Sequence, residues 1–331
     1  MLSLWSKNSI AYLLWPLSLL YYSFIFLRRK LYHYHIKTSI RFPVPIIIIG
    51  NITVGGSGKT PLLIEIAQFL QAKGWRPGII SRGYGGKANY YPARVHAKSN
   101  PREVGDEPLL IVRHTACPTI VDPQRSRGVN ALLDNTRCNI ILSDDGLQHL
   151  ALGRDIEIIV IDSQRRFGNG FYLPAGPLRE PISRLKTVDF IVSKGKAYPN
   201  GFEMVLIPKH FYQLIQPENK KNVDYFYGKK LHAVAGIGNP EQFFSSLRSL
   251  DLNISEHPFP DHHFFKPSDF DYGKESIILM TEKDAVKCEA FADARLWCVQ
   301  VKAQLEKTFY NALLNRIISV NDNAKSSVNS S

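Results

Sequence analysis

The longest uncharged stretch of the chain covers residues 9–27, with AYLLWPLSLLYYSFIFL as its main part, and it stops at Arg28-Arg29-Lys30. As a helix these nineteen residues would reach about 28 Å at about 1.5 Å per residue, close to the roughly 30 Å of a hydrocarbon core. Residues 1–35 are therefore read as an N-terminal apolar helix that associates with a membrane. No small-x-small site follows the run and the basic cluster lies behind it, which argues against a cleaved signal peptide. By the positive-inside rule the chain beyond Lys30 faces the cytoplasm. Pro16 and the aromatic residues Trp5, Trp15, Tyr21 and Tyr22 leave open a kinked helix lying in the interface. A helix buried in the globular fold is the remaining alternative.

Beyond Arg41 the pattern changes. Residues 44–49 are apolar and mostly β-branched on consecutive positions, as in a strand buried on both faces of a parallel sheet. The run feeds a glycine-rich turn, and residues 61–73 then have helical character up to Gly74, where a C-cap glycine belongs. Similar short apolar runs recur at 78–81, 119–121, 140–143, 156–161 and 190–193, with helical or loop segments between most of them. That alternation predicts an α/β fold, a mostly parallel sheet with helices on both faces. From about residue 215 HAVAGIGNPEQFFSSLRSL reads as strand, turn and helix, and SIILMT and LWCVQV as later strands. The expected organisation is a core over 36–215, a smaller C-terminal α/β domain over 216–318, and a disordered tail over 319–331, which ends without apolar content.

Composition narrows the classes further. With 331 residues, 44% of them hydrophobic, the chain can bury a full core, which excludes a fibrous or disordered protein. The formal net charge of +12 suits a polyanionic partner: nucleotide, nucleic acid or an anionic membrane face. Cys117, Cys138, Cys288 and Cys298 form no CxxC pair and read as reduced thiols.

The chemistry begins at Thr53-Val54-Gly55-Gly56-Ser57-Gly58-Lys59-Thr60, which matches G-x-x-x-x-G-K-[ST] except for threonine at the first position. The glycines let backbone N–H groups curl around phosphate oxygens, the following helix adds its positive end, and Lys59 reaches the β- and γ-phosphates. Thr60 would offer a hydroxyl to Mg2+. The motif follows a buried-type strand and opens a helix, the context of a P-loop NTPase-like fold. Asp144 and Asp145 close a neighbouring strand and are the candidates for a metal-holding carboxylate. Arg82 and Arg179 are candidate phosphate clamps. Asp106, in a loop just before a helix, and the run Asp261-His262-His263 offer candidate bases, although an N-cap aspartate and a polar turn explain them equally well.

The ordered set GNITVGGSGKTP, SRGYGG, VGDEP, SDDGLQH, LPAGPLREP, AGIGNP, FPDHH and TEKDAVK resembles the tetraacyldisaccharide 4'-kinases of lipid A biosynthesis over nearly the whole chain. Thr53 is itself like that family. The resemblance implies ATP and Mg2+ as cofactors, and transfer of the γ-phosphate to the 4'-hydroxyl of a tetraacylated glucosamine disaccharide 1-phosphate at the cytoplasmic face of the inner membrane, with lipid IVA as product. It further implies that residues 53–60 and Arg179 hold the nucleotide. Thr60, Asp144, Asp145 and Glu180 surround the metal, and Asp106 takes the acceptor proton with His262, chosen over His263, as its partner. A histidine from a second domain would complete that pair only as the domains close. The implied partners are the lipid substrate and the membrane surface, with no nucleic acid and no obligate protein partner.

Three other readings compete. A membrane-tethered P-loop switch would need N/T-K-x-D, and Thr281-Glu282-Lys283-Asp284 puts glutamate where the lysine belongs. A nucleic-acid ATPase would need clustered basic and aromatic residues, but the charge here is dispersed apart from Arg28–Lys30 and suits a membrane surface. A kinase for a soluble sugar would leave the N-terminal helix without a purpose.

Overall fold

The computed structural model describes the backbone of residues 8–328 and the side chains of residues 11–322. The chain forms two compact units, one of Met1–Arg82, Cys117–Val205 and Gln304–Ser331, the other of Gly83–Ala116 and Leu206–Ala303. Helix α1 (Asn8–His33), β1 (Ile46–Gly50), α2 (Lys59–Ala72) and β2 (Pro77–Ser81) open the first unit. The second unit takes β3 (Ala93–Val95), α3 (Pro101–Val104) and α4 (Asp106–Thr115). The first then resumes with β4 (Thr119–Val121), α5 (Arg125–Asn135), β5 (Ile140–Asp144), β6 (Ile156–Asp162) and β7 (Phe190–Lys194). Strand β8 (Phe202–Gln213) leads the chain into the second unit, which continues with β9 (Gln216–Lys221), β10 (Leu231–Ala235) and α6 (Pro240–Arg248). It ends with β11 (Ile254–Pro258), β12 (Ile277–Thr281), α7 (Glu282–Cys288) and most of β13 (Leu296–Leu305), and α8 (Lys307–Val328) returns to the first.

In the first unit the strand order is β8-β7-β6-β1-β5-β2-β4, and the paired strands are parallel. Strand β1 lies between β5 and β6, and Ile46 to Ile49 are each at most 1% exposed, the signature of a strand covered on both faces. Residues on either side, among them Ile80, Val129, Ile141, Leu147 and Ile159, complete this core. The register pairs Ile49 with Asp144, so the end of β5 stands beside the turn that leaves β1. A loop at such a strand end, where neighbours lie on both sides, is the usual ligand position of open α/β sheets. In the second unit β11-β10-β12-β13 are ordered side by side, β9 pairs antiparallel with β8, and Phe226, Phe244, Leu279 and Trp297 lie in its core.

The expected linear division into 36–215 and 216–318 differs from this arrangement. Residues 83–116 pack with the second unit and 304–318 with the first, because side-chain contacts between distant segments, not chain order, decide compactness. Tyr310 of α8, for example, donates to Glu65 of α2 at 2.8 Å and packs on Phe69. The expected tail also differs: α8 runs on to Val328, and residues 329–331 lie outside the described residues. Phe309, Leu313 and Ile317, fully buried at helical spacing, anchor that helix, and extending an anchored helix costs far less than nucleating one.

Candidate active site

Strand β1 ends at Gly50 and α2 begins at Lys59, so residues 51–58 form the phosphate loop. Gly58 caps α2 with φ +92 and no side-chain hydrogen bond, and a Cβ there would lie 3.0 Å from Met204 Cε. A helix whose first N–H groups lack a side-chain cap is prepared for an anion. Inside the loop Asn51 Nδ2 donates to Ser57 Oγ at 3.2 Å. Outside it, Val54 N donates to Pro177 O at 2.9 Å and Arg179 N to Ile52 O at 2.7 Å, with Thr53 bridged to Leu178. This lacing explains threonine at the first motif position: the backbone is extended there, where a β-branched residue fits and a glycine is not required. It also brings Arg179 to the loop.

Asp144 closes β5 and accepts from Ser81 Oγ at 3.0 Å. Asp145 follows with φ +46, a left-handed conformation aspartate tolerates. It accepts from Arg179 Nη1 at 2.9 Å and has Lys59 Nζ at 3.6 Å. Burial alone would raise its pKa, but Lys59, Arg179 and Arg125 hold it down at about 2. Thr60, the first residue after the lysine, is buried. Asn51 Oδ1, Ser143 Oγ and Asp145 Oδ1 are buried oxygens without a hydrogen-bond donor. Oxygens of this kind suit a hard cation, and although no three His, Cys, Asp or Glu residues gather as a cage among the described residues, Mg2+ needs only one or two carboxylates when phosphate and water complete its shell.

Glu180, expected beside these acids, lies next to the phosphate loop through Gln148, which donates to both Asn51 O and the Glu180 carboxylate. Its carboxylate takes Gln148 Nε2 at 2.8 Å, Arg184 at 3.3 Å and Arg29 at 3.5 Å, making it the hub of an ion-pair network. Burial raises its pKa despite those arginines. Arg82, exposed at the end of β2, lies near enough to Arg125 and His149 to disfavour their protonated forms.

In the second unit Asp106 is the first residue of α4, behind Gly105 at φ +88. It is buried; one oxygen accepts from Glu107 N at 2.8 Å and the other faces His262 Nδ1 at 3.0 Å. Burial would raise the Asp106 pKa, yet the His262 hydrogen bond and Lys283 bring it to about 2, while that same bond raises His262. Lys283 itself pairs with Glu107. His262, at φ +59, packs its ring 4.9 Å from Tyr84, whereas His263 binds Asp269 at 3.0 Å. Asp106 and His262 belong to the same unit, so the pair exists without the domain closure expected from sequence.

The sequence profile of the family described as "Tetraacyldisaccharide-1-P 4'-kinase" matches residues 10–318. The chain belongs to this family. A tetraacyldisaccharide 4'-kinase of Methylobacillus flagellatus is 48% identical over 304 residues, covering 91% of this chain and 90% of that protein. The Nitrosococcus oceani protein of the same name is 49% identical over 306 residues, covering 92% and 90%. A solved structure described as the "apo" form of LpxK from Aquifex aeolicus in complex with ATP superposes with a TM-score of 0.78 at 27% identity, covering 93% of this chain and 99% of that one.

In this member of the tetraacyldisaccharide-1-P 4'-kinase family, four contributors to the first-unit site escaped sequence reasoning. Arg125, buried at the start of α5, donates to Asp122 O at 2.9 Å and Asp144 O at 3.2 Å, and burial brings its pKa to about 10 against the pull of Asp144 and Asp145. An arginine three residues past a strand-end aspartate is the signal that could have marked it. Gln148 donates to Asn51 O at 3.1 Å, tying SDDGLQH to the phosphate loop. Ser18 and Arg29 come from α1. Ser18 Oγ donates to Tyr172 O at 2.8 Å and accepts from Ala175 N at 3.0 Å, and the Tyr22 ring packs at a tilt on Tyr172 with centroids 4.8 Å apart. From Tyr12, whose ring lies 5.9 Å from Phe171, to Arg29 on Glu180, α1 is therefore seated along the segment that carries Arg179. Residues 11–33 are long and apolar enough to cross a membrane, and Leu13, Leu20, Phe24 and Leu27 on the remaining faces are exposed.

Proposed function

We propose that this chain transfers the γ-phosphate of ATP to the 4'-hydroxyl of tetraacyldisaccharide 1-phosphate, forming lipid IVA and ADP. The observation that carries the reading is the phosphate loop with Lys59 and Arg179 converging on Asp145 in a chain of this family. The loop amides, the start of α2 and Lys59 bind and orient the triphosphate. Thr60, Asp144 and Asp145 would hold Mg2+, which supplies neutralisation of phosphate charge when bound. Asp106, ionised and oriented by His262, accepts the hydroxyl proton as the new O–P bond forms and the bond to the β-phosphate oxygen breaks. Incubation with labelled ATP, Mg2+ and the disaccharide lipid should place one phosphate on the 4'-oxygen; label on a different acceptor only would reject the substrate.

The membrane partner is a leaflet at the cytoplasmic face of the inner membrane, with α1 lying in the interface. A helix seated on the protein from Tyr12 to Arg29 keeps only its outer faces for lipid, as an interfacial anchor does, and Arg28 to Lys30 favour anionic headgroups. Removing residues 1–33 is expected to shift the protein to the supernatant of a membrane pelleting assay. It should also lower kcat about tenfold through the lost Ser18 and Arg29 contacts. Full pelleting of the truncated protein would assign membrane attachment to another surface.

A further inference from the structure

The ends of β6 and β7 reach the phosphate loop through residues that no motif marks. Asp162 closes β6, and its Oδ1 accepts from Gln164 N at 3.0 Å and Arg165 N at 3.1 Å, fixing the turn that follows. Its other oxygen holds Lys194 Nζ of β7 at 2.7 Å, with both side chains buried. The same ammonium donates to Gly56 O at 3.2 Å. The pair thus braces one side of the loop, and Lys194 has its counter-ion.

Arg165 does not. Its side chain returns from the braced turn to the loop, where a Cβ built on Gly55 would lie 3.0 and 3.1 Å from its two terminal nitrogens and 3.4 Å from Cζ. The two terminal nitrogens are nearer than Cζ, so the guanidinium turns the edge of its fork toward the position a Gly55 side chain would take. Gly55 is at φ +104 and beside it Gly56 has open space around its own Cβ position, so the guanidinium stands at the rim of a loop that remains accessible. Among the described residues, Arg165 has no carboxylate within ion-pair distance. An arginine held half-buried by its neighbours, without an acid, against a turn built to receive phosphate presents a planar fork matched to phosphate oxygens.

We infer that Arg165 contacts the terminal phosphates of the bound nucleoside triphosphate and acts with Lys59 as a catalytic cation. The inference rests on the ATP reading of the loop. Lys194 and Asp162 are positioning residues that set the turn from which Arg165 projects. Gly55 is glycine for two reasons: its left-handed backbone, and the guanidinium that occupies the place of a side chain.

The test compares wild type, Arg165→Ala, Arg165→Lys and, as a control, Arg166→Ala on the exposed neighbour. The readouts are kcat/KM for ATP, calorimetric affinities for ADP and a non-hydrolysable ATP analogue, and the melting temperature without nucleotide. Arg165→Ala is expected to lower kcat/KM about a hundredfold and to shrink the preference for triphosphate over diphosphate. Arg165→Lys should recover part of both, with melting and the Arg166→Ala kinetics unchanged. Wild-type triphosphate affinity and kinetics in Arg165→Ala would overturn the assignment while leaving the kinase reading intact. Equal losses in the alanine and lysine variants together with a lowered melting temperature would also overturn it, in favour of a structural role. A wild-type protein that binds neither nucleotide would overturn the ATP reading and the Arg165 assignment with it.

Discussion

Asp106→Asn is expected to lower kcat about a thousandfold, within the range that a positioned general base contributes, while ATP affinity stays at its wild-type value. The substitution keeps the shape and an oxygen that can accept from Glu107 N at the start of α4, now 2.8 Å from Asp106, so the helix should hold. What disappears is the anionic acceptor facing His262 at 3.0 Å. Asparagine cannot take the acceptor proton, and the phosphate loop, which belongs to the other unit, loses none of its ligands. A variant that turned over at the wild-type rate would remove Asp106 from the role of base.

The same pair sets a pH dependence whose sign follows from the two shifts. His262 lies above its ordinary 6.5 because Asp106 accepts its hydrogen bond. Its stabilising share is therefore complete below 6.5 and is lost as pH rises through the higher folded value. Asp106 is lowered from 3.8 to about 2, so its share is present above 3.8 and lost as pH falls through 2. Proton acceptance uses the pair with one proton fewer, and the two groups titrate as a unit. In wild type kcat/KM should climb as pH rises through a value above 6.5. In His262→Asn that limb should move down toward the carboxylate range. NMR titration of His262 in Asp106→Asn should show it falling back toward 6.5.

Local pattern made the phosphate site legible. The strand at 44–49, the glycine turn and the helix after it are encoded by neighbours in sequence, and β1, the loop and α2 lie where periodicity puts them. Asp144 and Asp145 are candidates because they close an apolar run beside a phosphate loop; without that neighbour a capped turn explains them as well. The remainder depends on contacts between segments far apart in the chain. Arg29 meets Glu180 across some 150 residues of chain, and no spacing rule reports this, so the ion-pair network around Glu180 is not legible in the sequence. Residues 83–116 join the second unit for the same reason, which is why Asp106 and His262 were assigned to separate domains. The TEKD run, weighed as a failed guanine signature, has a structural explanation in the second unit: Glu282 pairs with His114, Lys283 with Glu107, and Asp284 accepts from Gly236 N at 3.1 Å.

The second large effect belongs to Lys59. Lys59→Ala is expected to reduce kcat/KM for ATP about a thousandfold, in the range of a cationic clamp on a transferring phosphoryl group. The ammonium has two tasks in this geometry. It faces Asp145 at 3.6 Å and, with Arg179 and Arg125, keeps that carboxylate ionised with a pKa of about 2 although burial works the other way. It is also the cation placed at the start of α2, where the terminal phosphates of a bound nucleotide would lie. Its loss leaves Asp145 with two counter-ions, so the acid should titrate higher. Because the folded pKa of Asp145 is depressed, the stability it confers is present above 3.8 and lost as pH falls through 2; in the variant the depression is smaller, so less of that stability is present at higher pH and less is lost on acidification. The melting temperature of Lys59→Ala should therefore lie furthest below that of wild type at and above pH 5 and approach it as the medium is acidified toward pH 3. Lys59→Arg restores the charge but not the compact, single-point donor, so it should recover the melting profile and little of the turnover. Recovery of turnover together with the melting profile would show that charge alone, without the geometry of an ammonium, suffices at this position.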